Sequence, residues 1–176
     1  MSYTIKVCNR IDSLNHRIGK VVSWFSFLMV VLITSDVALR HVFNKGFIAL
    51  QEMEWHLFAV LFLLGGGFTL RHNGHVRVDI FYQRLGRRGK ALVNLLGCLL
   101  FLFPGCYLVV NASVPFIQSS WSIQEISPDP GGLPGRYVLK AMIPIGFGLI
   151  ALQGVSLTLR SIHTLFGSAE RPGGQD

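Results

Sequence analysis

Six histidines, three cysteines and nine carboxylates are the residues of this 176-residue chain whose types could do chemistry. His72 and His75 stand three apart, as two ligands of one metal ion would. No Cys or Glu nearby completes a zinc set. His41 and His56 fall near one membrane face on adjacent apolar segments, where bis-His haem ligation would be geometrically open but confined to the rim. No Ser-His-Asp or Cys-His constellation can be argued, and there is no Walker A loop. Cys98 and Cys106 lie eight residues apart on one helical segment. That is about 12 Å of rise, too far for a bridge. Both read as small buried apolar residues, and Cys8 should face a reducing compartment. The chemistry inventory points away from an enzyme, and no metal or cofactor is expected on this chain.

The elements that must hold these residues are membrane spans. The chain is 51% hydrophobic and 14% charged, with a mean hydropathy of +0.48. Soluble domains carry about 25% charged residues, and disordered chains are polar. No long polar stretch remains for a soluble catalytic domain. A span needs about 20 apolar residues, and four segments qualify, at about 21–40, 52–71, 91–114 and 139–160. The expected fold is an all-α integral membrane protein, one four-helix domain over 1–166 with a disordered Gly/Pro/Ser-rich tail at 167–176. The first apolar run is too long for a signal-peptide core and reads as a retained span.

Lys and Arg count twelve in the N-terminal tail, second loop and C-terminal tail, against four in the first and third loops. The richer side is expected to be cytoplasmic, which puts both termini inside. This asymmetry, with attraction to anionic lipid, accounts for the net charge of +7 without a nucleic-acid partner. In the tail, Val7, Ile11, Leu14 and Ile18 recur at helical spacing, with Lys6, Arg10, Arg17 and Lys20 off that stripe. An amphipathic helix on the cytoplasmic surface is one reading; a plain extension of the first span is the other.

Polar residues inside or beside the spans carry whatever function there is, because a charge at membrane depth is costly and needs a partner. Asp36 and Arg40 are one turn apart and can pair along the helix. The alternative is a proton or ion site at Asp36, but one carboxylate supplies too few ligands for a cation. Glu52 and Glu54 open the second span beside Trp55. They suit a helix N-terminus, or they contact a partner or outer-face cations. Gly65, Gly66 and Gly67 at mid-span suit close helix packing. Pro104 should kink the third span. Pro144, Gly146, Gly148 and Gly154 read as packing devices in the fourth.

The second span and its loop read QEMEWHLFAVLFLLGGGFTLRHNGHVRVDIFYQRL. An acidic start, an apolar span with a central glycine (Gly66), then Arg71-x-x-x-His75-Val76-x-Val78-Asp79 resembles the small permease (DctQ-like) subunit of tripartite ATP-independent periplasmic (TRAP) transporters. The resemblance continues through Trp121, SPDPGGLP and Arg136 into KAMIPIGF and Leu152-Gln153, over about residues 20–160.

That resemblance implies a bacterial inner-membrane subunit that works with a large permease subunit and, transiently, a periplasmic substrate-binding protein. It implies secondary uptake of organic acids, driven by an ion gradient, typically sodium. The large subunit would carry the substrate and sodium sites, and the small one would pack against it. The chain shows no broken helices or converging polar groups of the kind a transport site needs. Candidate interface or structural residues are Asp36, Arg40, Glu52, Glu54, Gly66, Arg71, His75, Asp79, Trp121, Glu125, Arg136 and Pro144. Arg71, His75 and Asp79 are expected to fix the second loop, or Arg71 and Arg77 to touch lipid headgroups. Trp121 and Glu125, in the Ser119–Lys140 loop, could meet the binding protein. Two readings from other classes stay open: the membrane anchor of a respiratory enzyme, and an autonomous small transporter that depends on Asp36.

Overall fold

The structure, a computed structural model, describes residues 2–72, 82 and 84–166. The expected tail at 167–176 lies outside the described residues. Among those described, every regular element is helical. Helix α1 runs Ser2–Phe43 and α2 runs Ile48–Arg71. The third span is α3, Arg87–Gly97, then one π-helical turn over Cys98–Leu102, then α4, Phe103–Ser122. Helix α5 is Arg136–Phe166. Four of these stretches are long and apolar enough to cross a membrane.

Each helix runs beyond its sequence-based limits at one end or both. At 1.5 Å per residue α1 is about 63 Å long, twice the roughly 30 Å of hydrocarbon. The tail ahead of the first span is thus continuous with it and forms no separate helix. Its packed face also lies off the apolar stripe. Cys8, Asn15, Gly19 and Val22 are buried, while Leu14 is exposed. The wide turn over Cys98–Leu102 directly precedes Pro104. A proline has no N–H, and its ring crowds the carbonyl four residues back; widening the turn before it relieves that conflict.

Contacts fix the directions. Glu52 meets Arg136, and a side chain at Gly66 would meet Ile150. Residue numbers rise together, so α2 and α5 are parallel. His16 stacks on Phe68, and Asn15 bonds Gln153, so α1 is antiparallel to both. Lys140 sits over the Phe116 ring and Tyr137 against Trp121, so α4 is antiparallel to α5. The spans run alternately up and down. Helix α5 is the hub, packed on α1, α2, α3 and α4. The start of α1 and the end of α5 share one end of the bundle.

Burial is inverted relative to a water-soluble bundle. The buried set includes Asn15, Asp36, Glu52, Gln153 and Ser156, whereas Trp24, Phe27, Phe62, Leu100, Phe101 and Leu108 are exposed. In hydrocarbon, polar groups must find partners inside the protein, and apolar side chains can face out.

Candidate functional site

Two polar clusters, one at each end of the bundle, tie the helices together. At the end away from the termini the centre is Glu52, 4% exposed although it is a carboxylate. Helix α2 begins at Ile48, so Glu52 stands in its second turn and is not at the N-terminus that a dipole pairing would need. Its carboxylate instead accepts three bonds. Ser127 Oγ donates at 2.5 Å, the Leu133 backbone N–H at 2.5 Å, and Arg136 Nη2 at 3.0 Å. One side chain thereby holds α2, the loop 123–135 and the start of α5. The Arg136 guanidinium also lies 5.6 Å from the Trp55 ring centre.

The loop is shaped to accept that carboxylate. Ser127 N–H donates to the Leu133 carbonyl, and Arg136 N–H to that of Glu125. Gly131 has φ +85°, a region that L side chains avoid. A side chain at Gly132 would meet Ser127 and come within 2.8 Å of Glu52 Oε2. Glu125 pairs with Lys140, whose ammonium lies 4.0 Å from the Phe116 ring centre. The Lys140 ammonium holds the Glu125 carboxyl below its usual value. Trp121 remains 59% exposed, edge-on to Tyr137 at 4.7 Å.

At the other end the centre is Asp12. Its Oδ1 accepts from Gln153 Nε2 and Ser156 Oγ, both at 2.8 Å, and its Oδ2 from Arg160 Nη2 at 2.7 Å. Asn15 Nδ2 donates to Gln153 Oε1 at 2.9 Å, and Arg160 also reaches Asn9 at 3.0 Å. These bonds join the first third of α1 to the second half of α5. Sequence reasoning missed this cluster, although a Gln within the fourth apolar segment was a usable signal, since buried amides cross-link membrane helices.

Asp36 is buried and pairs with Arg40 one turn on, its other oxygen having no partner among the described residues. Glu54 has one buried oxygen in the same condition, as has Arg71 Nη1 at the end of α2. His75 and Asp79 lie outside the described residues, so the expected Arg71–His75–Asp79 association is not part of this geometry. His41 and His56 each place ring Nδ1 against a carbonyl four residues back, Val37 at 3.2 Å and Glu52 at 2.6 Å. Among the described residues no three His, Cys, Asp or Glu gather as metal ligands.

The helices also meet through glycines. A side chain at Gly66 would come within 2.7 Å of Ile150, at Gly146 within 2.5 Å of the Leu63 carbonyl, and at Gly154 within 2.6 Å of Leu102. One at Gly67 would strike Asn15. Gly148 differs from its sequence reading as a packing device, and Gly97 and Gly105 in the third span resemble it. Each faces open space, with nothing within 4 Å, and is no packing device within this chain. Gly65 likewise opens on a cleft between α1, α2 and α5. Pro144 lies within α5, partly buried.

Comparison with known proteins agrees with this architecture. The family described as "Tripartite ATP-independent periplasmic transporters, DctQ component" matches residues 29–164. A Haemophilus influenzae protein that carries the name TRAP transporter small permease protein is 30% identical over 139 residues, 79% of this chain and 81% of its own. The Vibrio cholerae C4-dicarboxylate TRAP transporter small permease protein DctQ is 26% identical over 165 residues, 81% of this chain and 69% of its own. No solved structure gives a significant match. The family match spans most of the chain and falls on four membrane-length helices tied by internal polar bonds; the chain belongs to the DctQ family, the small permease components of TRAP transporters, and is a multi-pass membrane protein.

Proposed function

We propose that this chain supports a large permease subunit in ion-gradient-driven, binding-protein-dependent uptake of an organic acid. The observation that carries the reading is where the polar groups go. Asp12, Asn15, Gln153 and Ser156 are bonded to one another at one end, and Glu52, Ser127 and Arg136 at the other. Away from them, Gly66 and Gly146 bring α2 and α5 together against Ile150 and Leu63. Polar atoms in that arrangement brace helices and do not converge on a solute, whereas transporter sites gather them at mid-depth. The Vibrio relative is named for C4-dicarboxylates, which supports a carboxylate substrate class. Sodium is the coupling ion the family suggests, and its site belongs to the large subunit. Both termini are placed in the cytoplasm of a bacterial inner membrane by the excess of Lys and Arg on that side. Trp121 and the exposed loop 123–135 then face the periplasm, where a binding protein docks.

Uptake by proteoliposomes tests this. Vesicles holding both membrane subunits, with the binding protein and a sodium gradient, are expected to accumulate substrate. Vesicles with this chain alone are expected not to, and Asp36→Asn is expected to leave uptake by the pair intact. Uptake by this chain alone, abolished by Asp36→Asn, would overturn the supporting role in favour of an autonomous transporter.

A further inference from the structure

At the end of the bundle that carries the termini, a cleft of about 260 Å³ opens between the start of α3 and the last turns of α5. Arg87, Lys90 and Arg160 line it, beside the hydroxyls of Ser161 and Thr164, and no lining residue is a carboxylate. Helix α3 starts here with no acidic residue in its first turn and no side-chain cap. The positive end of a helix dipole normally draws an acid or a capping oxygen. This one has cations instead, so the cleft gathers positive charge and uncapped backbone N–H groups at one spot.

Ser161 adds a hydroxyl donor to the cleft. It is only 4% exposed, it lines the cleft, and its hydroxyl has no hydrogen bond to any described residue. One turn along, Thr164 bonds back to the Arg160 carbonyl, the usual solution for a helical hydroxyl. The Ser161 oxygen is not sealed off from the cleft, so its hydroxyl can donate to an anion bound there.

We propose that this cleft binds the phosphate of an anionic glycerophospholipid. The phosphate oxygens would take N–H bonds from Arg87, Lys90 and Arg160, and the Ser161 hydroxyl would donate to one of them. Arg160 already spends Nη2 on Asp12 and Asn9, but a guanidinium has five N–H donors. A lipid is favoured over free phosphate by what adjoins the cations. Ala91 and Leu157 form the apolar wall. The bound lipid would fasten α3 to α5 at the membrane surface.

Native mass spectrometry of the full chain, titrated with phosphatidylglycerol, phosphatidylcholine or inorganic phosphate, tests the proposal. Phosphatidylglycerol is expected to bind preferentially. The double change Arg87→Gln and Lys90→Gln should weaken it about 25-fold, at about 1 kcal/mol for each cation. Ser161→Ala should weaken it less, and Arg17→Gln, an exposed cation on α1, should not. Arg87 is exposed, so Arg87→Gln alone is a variant that keeps the core, expected to lose about fivefold. Unchanged affinity in these variants, or an equal loss in Arg17→Gln, would overturn the site. Inorganic phosphate that displaces phosphatidylglycerol and binds as tightly would overturn the lipid assignment.

Discussion

Glu52 accepts bonds from a serine 75 residues away, a backbone amide 81 away and an arginine 84 away. A carboxylate in that position organises the loop because each donor alone would be left facing an apolar surround. Removing its charge leaves Arg136 without its counter-ion, and a buried partner so stranded is costly. Glu52→Gln is therefore expected to lower the melting temperature in detergent by several degrees and expose loop 123–135 to protease; unchanged melting and cleavage would refute it. Glu125 is a pH-sensitive member of this end. Its carboxyl is held below the usual value by the Lys140 ammonium. A lowered folded value means that the tie stabilises above the ordinary carboxylate range. That contribution is lost as pH falls through the lowered value. The melting-temperature gap between wild type and Glu125→Gln should thus be constant near neutrality and shrink below about pH 4.3; a gap that persists into acid would show the pair contributes nothing.

At the scale of elements, glycines separate into those that touch and those that do not. Gly146 backs onto the Leu63 carbonyl, and backbone cannot move as a flexible side chain can. Gly146→Ala should cost about 1–3 kcal/mol through overpacking. Gly148, two residues on, faces open space, so Gly148→Ala should be neutral or stabilise by up to about 1 kcal/mol through helix propensity. Reversible unfolding of both variants in mixed micelles measures the difference; equal effects would mean the α2–α5 contact is not where the structure puts it. The existence of each helix was legible because an apolar run of span length permits little else. The facing surfaces were not. The stripe Val7, Ile11, Leu14 and Ile18 was read by the rule that apolar residues face in, yet Cys8, Asn15 and Gly19 are what pack. Beside lipid the rule reverses, because burying an apolar face gains little there.

Over the whole molecule, four alternating spans hang on α5, and polar ties close both ends. The Asp36–Arg40 pair was legible from one-turn spacing, since such pairs are local. The Glu52–Arg136 and Asp12–Gln153 contacts were not, since periodicity carries no information about residues 84 or 141 apart. A chain braced in this way, with a broad apolar exterior, suits a helical partner in the membrane. Affinity purification of the tagged chain from native membranes in mild detergent, with mass spectrometry of what accompanies it, tests that most directly. The expected result is one large polytopic permease subunit at equal stoichiometry. Recovery of the chain alone, or with redox subunits and a haem absorption spectrum, would contradict the supporting role in TRAP transport.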